Sequence, residues 1–249
     1  MDLQILLGAL LIGAGVGFLS GAFGKGGSAI STPLLHALGV PAMVAIASPL
    51  PATIPSTWLA SRGYARSGHV DRRVLRIGLV VGLPLTAIGA VLTRWIPGER
   101  LVLATDLILL FLGLRVLLGG HDAAGADDGH ASTTRTAVVV AAAALVSGLL
   151  GNSGGFLLAP LFMSVLRMPV RRALGTSLAL AAALAVPGTI VHAWLGHVDW
   201  SLTLVFGLAS VPFAGLGATT ALRLRERSLT LAYGFGIALL AGGLLVFAR

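Results

Sequence analysis

The feature that most constrains the fold is a series of apolar runs that are almost free of charge. The run Ser201–Leu222 contains no charged residue, and Leu101–Leu118 contains only Asp106 and Arg115. About 20 apolar residues in a helix cross the hydrocarbon layer of a membrane. Charged types make up 10% of the chain, against about 25% in soluble domains, which is too few to cover a water-exposed surface. We therefore predict an all-α integral membrane protein whose main partner is the lipid bilayer.

Ten apolar segments follow one another along the chain, and two of them are too short to span a membrane. The short ones, Ser28–Leu38 and Phe156–Leu166, would each extend about 17 Å as helices. Each follows a glycine-rich stretch, so we interpret both as broken or re-entrant half-helices. The other eight segments are Leu3–Gly21, Met43–Ser61, Val74–Thr93, Leu101–Leu118, Ala137–Leu150, Ala173–His192, Ser201–Leu222 and Leu229–Phe247.

The sequence also repeats itself. The tetrapeptide GHVD at residues 68–71 recurs at residues 196–199, and Pro84 matches Pro212 at the same offset of 128. Ser20-Gly21 matches Ser147-Gly148 at an offset of 127, one residue less. This pattern predicts two repeats of about five helical segments each. We assign residues 1–120 to the N-terminal transmembrane repeat, 121–134 to a polar linker and 135–249 to the C-terminal repeat.

Positive charge indicates that the two repeats have opposite orientations. The second GHVD loop, His192–Trp200, has no Lys or Arg, whereas the first is flanked by Arg62, Arg66, Arg72, Arg73 and Arg76. Because loops rich in Lys and Arg stay in the cytoplasm, the two loops are predicted on opposite faces. The repeats are then inverted, and both termini of this multi-pass protein are external. The net charge of +8 has this topological explanation, so no nucleic-acid partner is expected.

Two glycine-rich breaks carry the predicted chemistry. Inverted repeats with short, interrupted helices in matching places are typical of secondary transporters, whose substrate binds at the midplane where broken helices meet. Free N–H groups and the helix dipole make the start of a helix attractive to anions. We predict that a small anionic substrate binds there, with the only lysine of the chain in the first break. The breaks are Gly24, Lys25, Gly26, Gly27 and Ser28, and Asn152, Ser153, Gly154 and Gly155, which follow Gly151. The alternative is that the glycines only permit tight helix packing and that the lysine reaches to an interface.

Hydroxyl groups early in the next helices are secondary candidates for the same site. Ser48 and Thr176 match at the offset of 128, and Ser177 follows. Their O–H groups could donate to an oxyanion, although a Ser or Thr bonded to its own helix backbone is at least as common. The aspartates of the two GHVD loops are expected to cap the helices that follow them.

Motifs for other chemistry are missing from the sequence. Gly24-Lys25 lacks the upstream glycine and the following Ser or Thr of a phosphate-binding loop, and there is no HExxH. The chain has no cysteine, so disulfides and thiolate metal sites are ruled out. We predict no catalytic residue, no metal site and no cofactor.

The stretch from Gly17 to Ser28, GFLSGAFGKGGS, followed by Pro33-Leu34-Leu35, resembles the glycine-rich signature of the TauE/SafE sulfite exporter family, and residues 147–161 resemble its second copy. The resemblance implies a bacterial cytoplasmic-membrane permease for sulfite, sulfonates, related sulfur-containing anions or organic acids. It implies no ATP-binding domain, hence ion-coupled or facilitated transport. Lys25, Ser28 and Ser153 stand where the family generally has a glycine or an apolar residue, so sulfite itself should not be assumed.

The function predicted from all of this is secondary transport of a small anion held between two half-helix N-termini. An anion channel of the same fold is the first alternative, and a membrane scaffold or assembly protein is a weaker one. A membrane-embedded enzyme would need clustered acids or a nucleophile with a base, which the sequence lacks. The coupling ion, proton or sodium, the direction of transport and a homodimeric state are left open.

Overall fold

The chain is described by a computed structural model over residues 3–24, 28–118, 132–225 and 228, and this part is helical without strands. The predicted all-α class is confirmed. Its helices are α1 (Leu3–Phe23), α2 (Ser28–Ala37), α3 (Ala42–Ala47), α4 (Pro49–Arg66), α5 (Arg72–Leu92), α6 (Gly98–Leu118), α7 (Thr133–Leu149), α8 (Gly155–Ser164), α9 (Val170–Trp194) and α10 (Trp200–Arg223). The predicted segment Leu229–Phe247 and most of the linker lie outside the described residues, so the division into domains stays a prediction.

Four of these helices are long and apolar enough to cross a membrane. They are α1, α9, α10 and α5 with the 3₁₀ turn Thr93–Trp95 that continues it. The two short segments are ten-residue helices, α2 and α8. Both are about half of a membrane span in length. The chain is therefore a membrane protein that combines full spans with half-length helices.

One expectation about the helices needs a correction. The sequence predicted a single segment over Met43–Ser61, but the structure divides it at Ser48 into α3 and α4. The cause is the pair Pro49 and Pro51, which have no N–H groups to bond the preceding turn. The matching helix of the second half, α9, has neither proline and runs unbroken for 25 residues.

Small residues bring α1 and α10 into backbone contact. Gly13, Gly17 and Gly21 form a stripe on α1 that faces α10, and a Cβ atom at Gly13 would lie 2.7 Å from the Phe206 carbonyl oxygen. At Gly21 a Cβ atom would meet the carbonyl group of Ala214. In a bilayer, such close approach supplies the dispersion contacts that hold helices together.

The same kind of contact joins α7 and α5, which match α1 and α10 in the repeat. A Cβ atom at Gly148, the match of Gly21, would meet the carbonyl group of Thr86, which is the match of Ala214. The loops repeat their contacts as well, as the Asp71 N–H donates to Thr176 Oγ1 at 2.9 Å and the Asp199 N–H donates to Ser48 Oγ at 3.0 Å. Each half thus contacts the other through equivalent residues.

The matching helices α4 and α9 run antiparallel. Tyr64, near the end of α4, lies against Gly175 near the start of α9, whereas Leu50 at the start of α4 lies against Gly188. An inverted duplication requires this arrangement, and the placement of the two halves in a membrane stays a prediction.

The bundle has two chemically different ends. The arginine end, which we define by residues 62–76, 167–172 and 223–225, is tied together by Arg171 Nη2, which donates to the Leu224 carbonyl at 2.6 Å. The tryptophan end is defined by Trp95, Trp194 and Trp200, and the Arg94 guanidinium lies 5.7 Å from the ring centres of the first two. Tryptophan favours membrane interfaces and arginine the cytoplasmic side, so we predict that the arginine end faces the cytoplasm.

Candidate functional site

The first break begins at the end of α1. Gly24 has φ of +65°, a left-handed conformation that glycine adopts without strain. Its carbonyl oxygen accepts a 3.3 Å hydrogen bond from Ser177 Oγ, which also donates to the Leu174 carbonyl at 2.9 Å. The predicted site residues Lys25, Gly26 and Gly27 lie outside the described residues, as does the side chain of Ser28, whose backbone begins α2.

All residues of the second break are described, and they form a turn held by hydrogen bonds. Gly151 and Gly154 have φ of +58° and +79°, and Gly154 is the N-cap of α8. Asn152 Oδ1 accepts a 2.9 Å hydrogen bond from the Gly154 N–H. The backbone N–H of Asn152 donates to the Ser147 carbonyl of α7 at 2.9 Å. These bonds fix the chain where it reverses from α7 into α8, which begins at Gly155.

The other half of the Asn152 side chain has no hydrogen-bond partner. Asn152 is 1% exposed, and its Nδ2 atom, which carries two donor hydrogens, is buried and unpaired. Leaving a buried amide donor unsatisfied costs roughly 1–3 kcal/mol, so such a group in a native fold needs an explanation. A ligand acceptor next to the second break provides one. The neighbouring Ser153 is also fully buried.

One residue that was not among the predicted site residues, His192, lies beside this break. His192 of α9 is 0% exposed, and a Cβ atom at Gly151 would lie 3.4 Å from His192 Nε2. Nε2 is buried without a hydrogen-bond partner, while His192 Nδ1 lies 3.1 Å from His197 Nδ1. His192 is therefore a further candidate for the site. The available signal in the sequence was the match of His192 with Tyr64 at the offset of 128, which puts a polar ring at the same place in both halves.

The two breaks begin at opposite ends of α9. Gly24 contacts Leu174 and Ser177 near the start of that helix, and Gly151 contacts His192 near its end. The distance from Ser177 to His192 is 15 residues, or about 22 Å along the helix axis. The first break therefore begins toward the arginine end and the second toward the tryptophan end. The middle of the helix bundle separates the two breaks at their starts.

The secondary candidates lie against the two GHVD loops. Ser48 and Thr176 are fully buried, and each hydroxyl oxygen accepts the backbone N–H of an aspartate in the loop of the other half. Both hydroxyls keep their own O–H hydrogen for donation. The structure places Ser48 at the tryptophan end and Thr176 with Ser177 at the arginine end. It does not bring them together, but it puts one set near the start of each break.

Electrostatics at the second break come from the backbone and from two imidazoles. The start of α8 supplies free N–H groups and partial positive charge. His197, in the loop after α9, is half-buried, and this burial lowers the pKa of its imidazole from the ordinary value. At neutral pH this side chain is therefore uncharged. The arrangement offers neutral hydrogen-bond donors at the start of a helix, which is the chemistry that suits a small anion.

The aspartates of the two GHVD loops cap α5 and α10, as predicted. Asp71 Oδ1 accepts from the N–H groups of Arg73 and Val74 at 2.9 and 3.0 Å, and Asp199 Oδ1 accepts from the Leu202 N–H at 2.9 Å. These carboxylates are therefore occupied at helix starts. Among the described residues, no group of three or more His, Asp or Glu side chains could hold a metal ion.

Comparisons with known proteins agree with this architecture. The family described as "Sulfite exporter TauE/SafE" matches residues 9–245. A "Probable membrane transporter protein" of Xylella fastidiosa (strain 9a5c) is 31% identical, over all of this chain and 97% of the relative. "Probable membrane transporter protein YdhB" of Bacillus subtilis is 28% identical, over 86% of this chain and 88% of the relative. No solved structure matches the chain. With nearly its whole length matched, the chain belongs to the sulfite exporter TauE/SafE family of membrane proteins.

Proposed function

We propose that this protein is a secondary transporter of a small anion, which binds in turn at the two glycine-rich breaks that precede the half-helices α2 and α8. The anion enters the first break from one face of the membrane and the second from the other. A sulfite, sulfonate or related oxyanion fits this site by chemistry, because it offers several acceptor oxygens around one compact charge. The name of the matched family supports the same substrate class.

The observation that carries the proposal is the buried, unpaired Nδ2 of Asn152 beside the start of α8. Its Oδ1 is held by the Gly154 N–H, so the amide plane is fixed and the NH₂ group cannot turn to find another partner. Donors preset in this way bind an anion without reorganisation. The free N–H groups of the first turn of α8 are a second source of donors.

At the first break, Lys25 supplies a positive charge to the proposed site. At the matching position the second break has Asn152, so one break offers a cation and the other a neutral donor. An anion would be bound more tightly at the lysine, whose charge offsets its own. Transport then needs the opposite faces to be exposed in turn, which distinguishes this carrier from an open channel.

The test exchanges the donor of Asn152 for an acceptor without changing its shape. Asn152→Asp keeps an oxygen for the Gly154 N–H but places a carboxylate oxygen where the NH₂ group was. Purified protein is screened by thermal shift against sulfite, sulfate, thiosulfate, sulfoacetate, taurine and small carboxylates. We expect at least one anion to stabilise the wild type, with its affinity reduced by tenfold or more in Asn152→Asp.

The matched control is Ser132→Ala, which removes the N-cap of α7 at the opposite end of that helix from the second break. It is expected to lower the melting temperature of the free protein and to leave the anion-induced shift unchanged. Equal anion affinity in wild type and Asn152→Asp would exclude Asn152 from the site. Absence of any stabilising anion would contradict the proposed substrate class.

A further inference from the structure

We infer that His192 and His197 form a proton-binding site beside the second break, and that the protein binds a proton together with its anion there. The inference rests on the proposed function and goes beyond it by naming the coupling ion and the groups that hold it. The two rings are in direct contact, with centroids 5.4 Å apart and Nδ1 atoms 3.1 Å apart.

The geometry of the pair determines where an added proton appears. One of the two Nδ1 atoms must carry a hydrogen and the other must accept it. If His192 donates, its Nε2 has a lone pair and takes up the next proton. If His197 donates, His192 already carries its hydrogen on Nε2 and the next proton goes to His197. In both cases the pair that holds one extra proton has an N–H at His192 Nε2.

That N–H lies next to the second break. His192 Nε2 is buried, has no hydrogen-bond partner and would be 3.4 Å from a Cβ atom at Gly151. The unpaired Nδ2 of the adjacent Asn152 supplies another donor at the same turn. A positive charge shared by two rings at this depth needs a nearby negative charge, because burying an unpaired charge is costly. An anion in the break supplies it, and by linkage the proton strengthens anion binding to the same extent.

The charged groups described near the histidine pair have other contacts. Along the same loop, the Asp199 carboxylate caps α10 through the Leu202 N–H. The Arg94 guanidinium lies over the Trp194 ring at the same end of the bundle. From α7, the backbone of Gly148 offers the His192 ring a hydrogen-bond acceptor, and α3 contributes the apolar Ile46 beside Gly151. Among the described residues, His197 is the titratable group that contacts His192.

The first half shows what this position looks like without a proton site. Tyr64, which matches His192, is also fully buried, but its hydroxyl donates to the Ala22 carbonyl at 3.3 Å. A tyrosine hydroxyl with an ordinary pKa near 10 does not exchange a proton in the physiological range. The duplication has therefore left a fixed hydrogen bond on one side and a titratable, unpaired nitrogen on the other.

The experiment uses proteoliposomes with an inside pH dye and two probe anions, thiosulfate and methanesulfonate, whose charge stays constant between about pH 5.5 and 7.5. This range lies around the ordinary histidine pKa of roughly 6.5, which burial lowers at His197 and the charge of a bound anion raises again. We expect probe entry to acidify the lumen in wild type and the apparent probe affinity to rise as pH falls, by up to tenfold per pH unit for one proton. His192→Tyr should abolish both effects.

Three further variants separate the proton site from other causes. His197→Gln changes the half-buried loop partner and should reduce the pH effect even if His192→Tyr does not fold. Tyr64→Phe, at the matching buried position, should keep the pH dependence whatever its rate. Asp106→Asn tests the carboxyl group on α6, whose electrostatic neighbour is His36. Unchanged coupling in His192→Tyr and His197→Gln, or loss of coupling in Asp106→Asn alone, would overturn the inference.

The failure of the proposed function can be told apart from the failure of this inference. If neither probe enters wild-type vesicles, the substrate class is contradicted for these probes. The proton site is then decided by ¹⁵N-histidine NMR of the detergent-solubilised protein. The expected result is that His192 and His197 shift together as pH falls and that His192→Tyr changes the His197 titration. Independent titration of the two rings would overturn the pair.

Discussion

The two breaks of this molecule have the same place in the fold and different chemistry. Beside the first, two buried side chains form hydrogen bonds to backbone carbonyl groups, Tyr64 to Ala22 and Ser177 to Gly24. Around the second, Asn152 and His192 keep a buried nitrogen unpaired. The packing of helices and loops is thus alike in the two halves, while the polar groups at the breaks differ. Packing changes should therefore act alike in both halves, and changes at the breaks should not.

The largest expected effect tests the shared packing. Gly21→Ala and Gly148→Ala each place a methyl group against a backbone carbonyl, of Ala214 and Thr86 respectively. Backbone cannot yield as a side chain can, so each variant should lose about 3 kcal/mol or more of stability. The control is Gly15→Ala, because nothing lies within 4 Å of a Cβ atom there, and it should be neutral or slightly stabilising. Thermal melting in detergent measures all three, and clearly unequal losses at Gly21 and Gly148 would break the comparison.

The next effect concerns the hydroxyls that bridge the halves. Ser48→Ala and Thr176→Val each leave the backbone N–H of a loop aspartate without its acceptor. Each should cost about 2 kcal/mol, the typical penalty for a buried unpaired donor. Chemical denaturation gives the stability and anion titration gives the affinity. A loss of affinity far beyond the loss of stability would mean that these hydroxyls contact the substrate directly.

At the breaks themselves, the two halves should respond differently to salt. Lys25→Met should weaken anion binding by about tenfold, or about 1.4 kcal/mol, and more strongly at low ionic strength than at high. Lys25→Arg should retain most of the affinity because it retains the charge. Asn152→Asp, described above, carries the corresponding test of the second break. Unchanged binding of every accepted anion in Lys25→Met would remove Lys25 from the site.

The smallest effect sharpens the comparison between the two GHVD loops. Asp71→Ala removes a cap that accepts two N–H groups, whereas Asp199→Ala removes one that accepts the Leu202 N–H. Capping residues contribute about 1 kcal/mol each. We expect Asp71→Ala to lower the melting temperature slightly more than Asp199→Ala, with no change in the pH dependence of anion affinity. The opposite order would show that the loops differ in more than their caps.

Much of the fold could be predicted because a membrane leaves few choices. An apolar run must become a helix in a bilayer, since its backbone groups have no water to bond. The half-helices α2 and α8 and the caps Asp71 and Asp199 followed from length and local residue type. The division at Ser48 was missed although Pro49 and Pro51 are visible in the sequence, since apolar content alone made the segment look continuous.

The site was less predictable because it depends on contacts distant in sequence. Asn152 could be named from its place in a glycine-rich break, but the pairing of its Oδ1 with Gly154 and the unpaired Nδ2 required coordinates. The role of His192 could not be inferred from α9 alone, because it arises where that helix meets Gly151 of a different segment. Ser48 and Thr176 matched each other in sequence, yet only the fold shows that each bonds the loop of the other half.

The central claim is that the two halves face opposite sides of the membrane, so that each break opens to a different side. The chain has no cysteine, so single cysteines can be placed at the matching positions Ser67 and Leu195, just before the two GHVD loops. A membrane-impermeant maleimide applied to intact cells should label Leu195→Cys at once and Ser67→Cys only after the membrane is permeabilised. Labelling of both from the same side would contradict the claim, and the transport path proposed between the breaks with it.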